Sequence, residues 1–168
     1  AGKLNVSGDY IAANPYENED GSISYNSIAG GLKMINDQDK VVVKGDFITN
    51  ATRSTPLNAG IIEVGGDFKD YGYINNICGF KAGGTHKVIF NGTDTQEIYF
   101  ADPYDCGFNY AEFVNDDIVM NSDIKGFKLT ADITFKNNTN LGIRGELDLN
   151  GYALNAEGDL NHTGGTLC

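Results

Sequence analysis

The chain contains the stretch Lys40-Val41-Val42-Val43-Lys44-Gly45-Asp46-Phe47, in which a short β-branched run ends at Gly-Asp and an aromatic residue follows. The same pattern recurs as Ile61-Ile62-Glu63-Val64-Gly65-Gly66-Asp67-Phe68 and as Lys3-Leu4-Asn5-Val6-Ser7-Gly8-Asp9-Tyr10. A weaker copy is Leu154-Asn155-Ala156-Glu157-Gly158-Asp159-Leu160. We call this pattern the Gly-Asp motif. A supersecondary unit that is written several times along one chain is typical of repeat architectures.

The chemistry of the motif fits a short strand that enters a corner. Alternate residues such as Val41 and Val43 are expected to point inward, and glycine frees the backbone for the corner. The aspartate beside it can accept hydrogen bonds from the backbone amides that follow, as in an Asx-turn. This turn-forming role is favoured over metal ligation. The turn-forming positions are Gly8, Asp9, Gly45, Asp46, Gly66, Asp67, Gly158 and Asp159.

The rest of the chain also predicts β-structure. Short runs of β-branched and aromatic residues alternate with polar ones, and glycine, asparagine and aspartate separate these runs. No long segment has apolar residues at helical spacing with proper caps. The hydrophobic fraction of 40% is sufficient for a folded core. We therefore predict an all-β fold in a single domain over residues 1–168.

The spacing of the motif separates two all-β architectures. Gly8, Gly45, Gly66 and Gly92 lie 37, 21 and 26 residues apart, and a β-helix coil of three short strands uses about 20 to 30 residues. Stacked coils give parallel sheets, so we predict a single-stranded β-solenoid, or β-helix, with Gly, Asn and Asp corners. A β-sandwich is the alternative, although it needs no recurring motif. The longest interval carries a loop insertion at residues 14–21.

Net charge restricts the classes of partner. The 168 residues carry a formal net charge of −11, and such a surface repels nucleic-acid phosphates and anionic membranes. No apolar run reaches the roughly 18 residues that a membrane helix needs. We therefore expect neither nucleic-acid binding nor membrane insertion. The chain opens at Ala1 with turn and strand sequence, as expected of a mature or excised piece.

The three cysteines allow two interpretations. Cys78 and Cys106 are separated by about one coil, so they could be stacked neighbours that form a disulfide. Cys168 would then be left over, available for a covalent link between neighbouring copies. Alternatively, all three are small buried apolar residues.

The sequence predicts no catalytic or metal centre. Its two histidines are His86 and His162, and His86 follows Gly-Gly-Thr in strand sequence, where we expect a surface position. A Cys–His dyad with Cys78 or Cys106 has no helix N-terminus to activate the thiol. The chain has no Cys-x-x-Cys pair, P-loop or dinucleotide-binding motif. We expect no enzyme activity and no cofactor.

Calcium is the one cofactor with some support in the sequence. Asn18 and Asp20 match ligand positions of a calcium loop, but Tyr16 stands where the first carboxylate should be. Solvated acidic loops that keep the protein soluble are the preferred interpretation. Further oxygen-rich positions are Asp102, Asp105, Asp116 and Asp117.

Aromatic residues raise the alternative of glycan binding. The chain has nine tyrosines and nine phenylalanines, and aromatic side chains near loops can stack on sugars. Cover for the end of a core is the simpler role for such residues. The tyrosines concerned are Tyr71, Tyr73, Tyr99, Tyr104 and Tyr110.

The beginning and the end of the sequence share a pattern. Gly165-Thr166-Leu167-Cys168 aligns with Gly2-Lys3-Leu4-Asn5, so the sequence reads as one period of a longer or self-stacking array. Neither end carries a polar cap or a covering helix, and open strand edges accept further strands. We therefore predict that copies or adjacent repeats join head to tail. The predicted junction residues are Leu4, Val6, Leu167 and Cys168.

Three segments carry a resemblance to a known group of proteins. They are Leu4-Asn5-Val6-Ser7-Gly8-Asp9-Tyr10, Gly84-Thr85-His86-Lys87-Val88-Ile89-Phe90-Asn91-Gly92 and Leu147-Asp148-Leu149-Asn150-Gly151-Tyr152-Ala153-Leu154. These segments resemble tandem segments in large secreted or surface proteins of clostridia-like bacteria. The resemblance covers nearly the whole chain and implies a β-solenoid stalk or adhesive fibre outside the cell or on its surface. It supplies no catalytic residue, and the insertion and the cysteines depart from it.

Taken together, the sequence predicts a structural protomer, or repeat, of an extracellular fibre or stalk that stacks through open coil edges. The alternative is a monomeric surface adhesin or carbohydrate-binding module. A third hypothesis is a polysaccharide-degrading β-helix enzyme. The few, scattered basic residues, 12 lysines and arginines in all, disfavour the third.

Overall fold

The fold is all-β, as predicted. The computed structural model describes residues 1–52, 55–74, 77–102, 106–114, 118–120, 123–124, 127–129, 133–135, 139–143 and 146–168, and these residues contain strands and turns but no helix. The strands are β1 (Lys3–Val6), β2 (Tyr10–Ala12), β3 (Asn14–Glu17), β4 (Ile23–Asn26), β5 (Lys40–Val43), β6 (Phe47–Thr49), β7 (Ile61–Val64), β8 (Phe68–Asp70), β9 (Tyr73–Ile74), β10 (Ile77–Cys78), β11 (Lys87–Phe90), β12 (Gln96–Phe100), β13 (Tyr110–Phe113), β14 (Ile118–Met120), β15 (Asp123–Ile124), β16 (Phe127–Leu129), β17 (Ile133–Phe135), β18 (Thr139–Ile143), β19 (Glu146–Asp148), β20 (Leu154–Ala156), β21 (Leu160–Thr163) and β22 (Thr166–Leu167).

The largest sheet has eight strands and every pairing in it is parallel. Its order is β1-β5-β7-β11-β13-β16-β19-β22. Parallel neighbours that are close in sequence require the chain to leave the sheet and return to the same side each time. The predicted parallel sheet is therefore confirmed.

The Gly-Asp motif predicts the register of the first strands correctly. Lys3 pairs with Lys40, and Lys40 pairs with Ile61, so the three complete copies of the motif lie side by side. The weaker copy is a correction to the sequence interpretation. Gly158 and Asp159 lie between β20 and β21, and β20 pairs with β17 rather than with a strand of the large sheet.

Five smaller sheets complete the described structure. A five-stranded parallel sheet has the order β14-β12-β8-β6-β2, and parallel pairings also join β15-β18-β21 and β17-β20. Two antiparallel pairs interrupt this pattern, β3 with β4 and β9 with β10. The predicted insertion at residues 14–21 thus belongs to an antiparallel hairpin, β3–β4, that extends to Asn26.

The core lies between the sheets and is filled by inward-facing aliphatic and aromatic residues. Val41, Ile62 and Val88 occupy one register position on successive strands, and all three are buried. Phe68 is fully buried and contacts five other phenylalanine rings, with centroid distances of 4.8 to 6.2 Å. The aromatic residue of the motif therefore enters the core.

The glycines of the motif allow the corners to approach closely. A Cβ atom at Gly45 would lie 2.9 Å from the carbonyl carbon of Gly8, and one at Gly66 would lie 2.6 Å from that of Gly45. The amide of Gly66 donates to the carbonyl of Gly45 at 2.9 Å. Only glycine leaves room for this stacking of one corner on the next.

Candidate functional site

One edge of the large sheet is β1, which presents apolar side chains without a neighbour. Leu4 occupies the same register position as Val41. Val41 is 4% exposed, whereas Leu4 is 42% exposed. Among the described residues β1 pairs only with β5, so the inward column of the core continues to this edge and stops there uncovered.

The start of β1 is held in place by a carboxylate. Asp39 accepts hydrogen bonds from the backbone amides of Gly2 at 2.8 Å, Asn36 at 3.1 Å and Ile35 at 3.2 Å. These amides, that of Gly2 first, lower the pKa of Asp39 to about 2. The edge strand is therefore anchored to the neighbouring part of the chain and presented in a fixed position.

The opposite edge of the large sheet is β22, which lies on β19. Leu167 pairs with Leu147, which is 1% exposed, yet Leu167 itself is 41% exposed. Cys168 extends this pairing, because its amide donates to the carbonyl of Leu147 at 3.0 Å and its carbonyl accepts from the amide of Leu149 at 2.7 Å. The second edge is thus also apolar and uncovered.

The predicted junction residues fall on these two edges. Leu4 and Leu167 share one register column at opposite ends of the sheet, and Val6 is half-buried at the next inward position of β1. Cys168 is exposed, and a hydrogen bond with Glu146, a small burial effect and the charges of Glu146 and Asp148 raise the pKa of its thiol. Within one chain these four residues do not form a single site. Leu4 and Val6 lie on β1, whereas Leu167 and Cys168 lie at the opposite edge of the sheet.

The motif aspartates form a ladder that links neighbouring strands. Asp9 accepts from the amide of Asp46 at 2.8 Å, Asp46 accepts from that of Asp67 at 2.7 Å, and Asp67 accepts from that of Glu97 at 2.8 Å. The sequence predicted an Asx-turn, in which each aspartate accepts from the amides that directly follow it. For these three aspartates that prediction is corrected, because each accepts from an amide of the neighbouring pass of the chain. Partial burial, with the charges of Asp67 and Asp9, raises the pKa of Asp46.

Cys78 and Cys106 are joined as a disulfide. Their Cα atoms are 5.3 Å apart, and both residues are buried. Parallel bridges next to them, such as Lys81 with Gly107, show that the two cysteines belong to neighbouring passes of the chain. Of the two interpretations that the sequence left open for this pair, the structure therefore shows the disulfide.

His86 does not lie at the surface as expected. It is fully buried, its ring packs edge-on against Phe80 with centroids 5.7 Å apart, and neither ring nitrogen has a hydrogen-bond partner. Burial alone lowers the pKa of His86 to about 4. The side chain is therefore neutral in the folded protein at neutral pH and acts as an apolar core residue.

Asp70 is the second buried titratable group in this region. It is 1% exposed, and its two carboxylate oxygens accept from the amides of Gly72 and Phe80, each at 2.9 Å. Burial outweighs these hydrogen bonds and raises the pKa of Asp70 to about 7. The group fastens the connection between β8 and Phe80.

His86 should make the protein less stable in acid, and we expect the variant His86→Leu to lose this effect. Between pH 6.5 and pH 4 the unfolded chain binds a proton at His86 that the folded chain excludes, so the folded state loses about 3 kcal/mol as the pH falls. Asp70 acts in the opposite direction, since its folded pKa is raised. The difference in unfolding free energy between the wild type and His86→Leu isolates His86, because Asp70 is common to both.

The chain supplies its own control for this measurement. His162 is the other histidine and is exposed on β21, so the variant His162→Leu is the control for replacing a histidine that is not buried. Urea unfolding at several pH values gives both differences. A flat difference for His86→Leu would show that the folded chain binds a proton at His86 as readily as the unfolded chain does.

The tyrosines considered for glycan binding are arranged as a ladder. Tyr25 of the hairpin stacks on Tyr71 with centroids 5.5 Å apart and an interplanar angle of 18°, and Tyr71 lies 5.2 Å from Tyr99 at 40°. Asn50 also donates to the carbonyl of Tyr25 at 2.6 Å. A sugar stacks on the face of a ring, and here Tyr25 and Tyr71 each use one face on the other. The ladder fastens the hairpin to the body of the fold.

The calcium-like segment is described by the structure, whereas several of the predicted loop residues are not. Asp20 accepts from the amide of Ser22 at 3.0 Å and from its hydroxyl at 2.6 Å, and Asn18 donates to Ser22 and Ser24, so the calcium-like segment is a hydrogen-bonded hairpin turn. The side chains of Tyr73 and Tyr110 lie outside the described residues. Residues 103–105 and 115–117, which include Tyr104, Asp105, Asp116 and Asp117, lie outside them as well.

Known proteins and general site criteria give no further assignment. Comparison with protein-family models, curated protein sequences and solved structures finds no match to this chain. Within the described ranges, no cluster of three or more His, Cys, Asp or Glu side chains could hold a metal ion. In the same part of the chain, no helix has the length and apolar character to cross a membrane. The two uncovered sheet edges are therefore the candidate functional surfaces.

Proposed function

We propose that the chain is a β-solenoid protomer that stacks end to end, through its two open edges, into an extracellular or surface-attached fibre or stalk. The role is structural and not catalytic. A second copy of the chain, or an adjacent repeat, is the partner. The observation that carries the proposal is the register column from Leu4 to Leu167, which is buried in the middle of the sheet and exposed at both ends.

Several features of the strand pairing support the solenoid. β1, β5 and β7 are each followed along the chain by β2, β6 and β8, and both sets pair in parallel with the same order. In the last part of the chain, β19, β20 and β21 each pair with β16, β17 and β18. One pass through the sheets is therefore one coil. A sandwich is built from antiparallel strands, and here the antiparallel pairs are two local hairpins.

The parallel pairing also gives the stack a direction. A second copy that continues the large sheet in parallel must present its β1 edge to the opposite edge of the first copy. Such a contact joins two different surfaces, and repeated contacts of this kind produce open filaments. The aspartate ladder has the same polarity, because each carboxylate accepts from a backbone amide of the next pass of the chain, starting with Asp9 beside the β1 edge.

The disulfide and the charge favour a location outside the cell. Buried disulfides persist in oxidising compartments, and Cys78 and Cys106 form one here. A net charge of −11 keeps protomers soluble and opposes binding to nucleic acid. We therefore place the fibre outside the cell or on its surface.

The variant Leu4→Lys tests the proposal at one end only. Burying Leu4 against another copy contributes about 1.5–3 kcal/mol, and an unpaired lysine there costs more, so the concentration needed for filaments should rise at least ~10-fold. Added in small amounts to the wild type, the variant should shorten filaments, because its other end still binds. Negative-stain electron microscopy and light scattering measure both effects.

A matched control separates the edge from general surface changes. Val114 is 53% exposed and follows β13 in the middle of the sheet, so Val114→Lys should assemble as the wild type does. A wild type that stays monomeric at high concentration would refute the proposal. Dimers of Leu4→Lys would refute head-to-tail stacking in particular, since they require a tail-to-tail contact.

A further inference from the structure

The tyrosine ladder, formed by Tyr25, Tyr71 and Tyr99, brings phenol rings together from three separate segments of the chain. Tyr25 belongs to β4 of the hairpin, Tyr71 directly follows β8, and Tyr99 lies on β12. The rings of Tyr25 and Tyr71 are nearly parallel, with centroids 5.5 Å apart and an interplanar angle of 18°. Two residues that are distant in sequence therefore meet face to face through oxidisable rings.

The ladder lies on the outer side of the five-stranded sheet, where solvent reaches it. Ile98 and Phe100, on either side of Tyr99, are buried, and successive side chains of a strand point to opposite faces, so Tyr99 points away from the core. All three tyrosines of the ladder are half-buried. Each ring is thus packed against protein and is still accessible to a small oxidant from water.

The hydroxyl ends of the three rings are close enough to interact. Partial burial is the largest cause that raises the pKa of Tyr71. The hydroxyls of Tyr25 and Tyr99 act in the same direction, because like charges that are close together disfavour ionisation. The ring carbons next to a hydroxyl-bearing carbon are the positions at which phenoxyl radicals couple. The ladder therefore gathers the atoms that such a coupling needs.

We propose that Tyr25 and Tyr71 form a site of oxidative cross-linking, at which hydrogen peroxide and a haem peroxidase join the two rings as dityrosine. Each phenol gives up one electron and one proton and becomes a phenoxyl radical. The two radicals form one carbon–carbon bond between positions adjacent to the hydroxyl groups, and the hydrogen on each of these carbons moves to the phenol oxygen. One hydrogen peroxide takes up the two electrons and two protons and leaves as two water molecules.

Ring orientation favours coupling of Tyr71 with Tyr25 over coupling with Tyr99. The unpaired spin of a phenoxyl radical lies in orbitals perpendicular to the ring, so the new bond forms most directly between rings that face each other. Tyr25 and Tyr71 are 18° from parallel, whereas Tyr71 and Tyr99 are tilted by 40°. The bond ties the hairpin covalently to the connection after β8. The inference does not rest on the proposed function, because both rings belong to one copy of the chain.

Oxidation of the intact protein at low concentration, with hydrogen peroxide and a haem peroxidase, tests the site. We expect the single chain to lose the mass of two hydrogen atoms and to gain the blue fluorescence of dityrosine. After the disulfide is reduced, trypsin, which cleaves after lysine and arginine, should release residues 4–33 joined to residues 70–81. Coupling of Tyr71 with Tyr99 would instead join residues 70–81 to residues 88–125.

Conservative variants separate this pair from the other tyrosines. Tyr25→Phe and Tyr71→Phe each keep a ring in the stack but cannot form a phenoxyl radical there, so each should lose the joined peptide. Tyr16→Phe is the matched control, because Tyr16 lies on β3 of the same hairpin, is 45% exposed and is not part of the ladder. Its yield of joined peptide should equal that of the wild type. The wild type oxidised in urea, which separates the stacked rings, should lose the preference for this pair.

The outcomes decide the proposal whether or not the wild type forms filaments. A joined peptide of residues 4–33 and 70–81 that disappears in Tyr25→Phe and Tyr71→Phe and persists in Tyr16→Phe supports it. A single chain whose mass does not change overturns it, and so does a joined peptide that persists in Tyr25→Phe. Coupling mainly between residues 70–81 and 88–125 also overturns it. Equal yields from the folded and the urea-unfolded chain would do the same, because stacking would then play no part.

Discussion

Replacing Phe68 with alanine is expected to lower the free energy of unfolding by about 3–5 kcal/mol. Phe68 is fully buried and contacts the rings of Phe47, Phe80, Phe90, Phe100 and Phe108. The substitution leaves a cavity that five rigid rings cannot fill, and it also removes aromatic pair contacts worth about 0.5–1.5 kcal/mol each. A loss of this size is a large part of the stability of a typical domain.

Tyr10→Ala is the matched comparison for Phe68→Ala. Tyr10 stacks on Phe47 with centroids 4.8 Å apart, but it is half-buried on the edge strand β2. Its removal exposes a site that is already open to water, so we expect a loss of only about 1–2 kcal/mol. Chemical denaturation of both variants, each in the Leu4→Lys background so that the proposed assembly is disfavoured, measures the difference. Equal losses would show that the rings around Phe68 close over the cavity.

The second large effect is expected from the disulfide. Cys78 and Cys106 are 28 residues apart, and loop-closure entropy for a ring of that size corresponds to about 3–4 kcal/mol. The double variant Cys78→Ala with Cys106→Ala should therefore unfold at a clearly lower denaturant concentration. Alanine is used because a serine hydroxyl would be buried without a partner.

Reduction and the remaining cysteine provide the controls for this result. The wild type under reducing conditions should approach the stability of the double variant, and the double variant itself should not respond to reductant. Cys168→Ser changes an exposed residue, so it should alter the stability by less than about 0.5 kcal/mol. If the wild type unfolds at the same denaturant concentration with and without reductant, the disulfide does not stabilise the fold.

The sequence predicted the first part of the fold well because its turn chemistry is written there three times. Gly8, Gly45 and Gly66 mark corners that stack directly, so the distances between them gave the register of β1, β5 and β7. From β11 onward no strand of the large sheet is followed by a Gly-Asp pair, and Gly158-Asp159 lies between β20 and β21 instead. A local motif predicts the conformation of its own corner. It does not predict which sheet the neighbouring strands join.

His86 could have been found by a stricter use of strand periodicity. Val88 and Phe90 are apolar and face inward. Side chains alternate between the two faces of a strand, so His86, two residues before Val88, is expected to face inward as well. The polar character of histidine and the preceding glycines favoured the surface instead. In the structure the imidazole is buried and packs edge-on against Phe80.

The aspartate ladder and the pairing of β22 with β19 lie beyond what a single sequence reveals. Asp9, Asp46 and Asp67 can accept from the next residues of the chain or from a strand stacked above, and only the stacking brings the second set of amides close. Similarly, the likeness of residues 165–168 to residues 2–5 predicted that two edges match. It did not predict that the chain places the later copy on β19 in the position of the earlier one.

Pairing between near neighbours in sequence has a consequence for how the molecule opens. Because each strand of the large sheet pairs only with the strands before and after it in the sheet, structure can form in the middle and spread outward without waiting for distant segments. The phenylalanine cluster and the disulfide lie between β5 and β13 in the chain, the stretch that contains the middle strands, so the cost of local opening falls toward β1 and β22. The two edge strands of the large sheet are thus the ones that are expected to fray most readily.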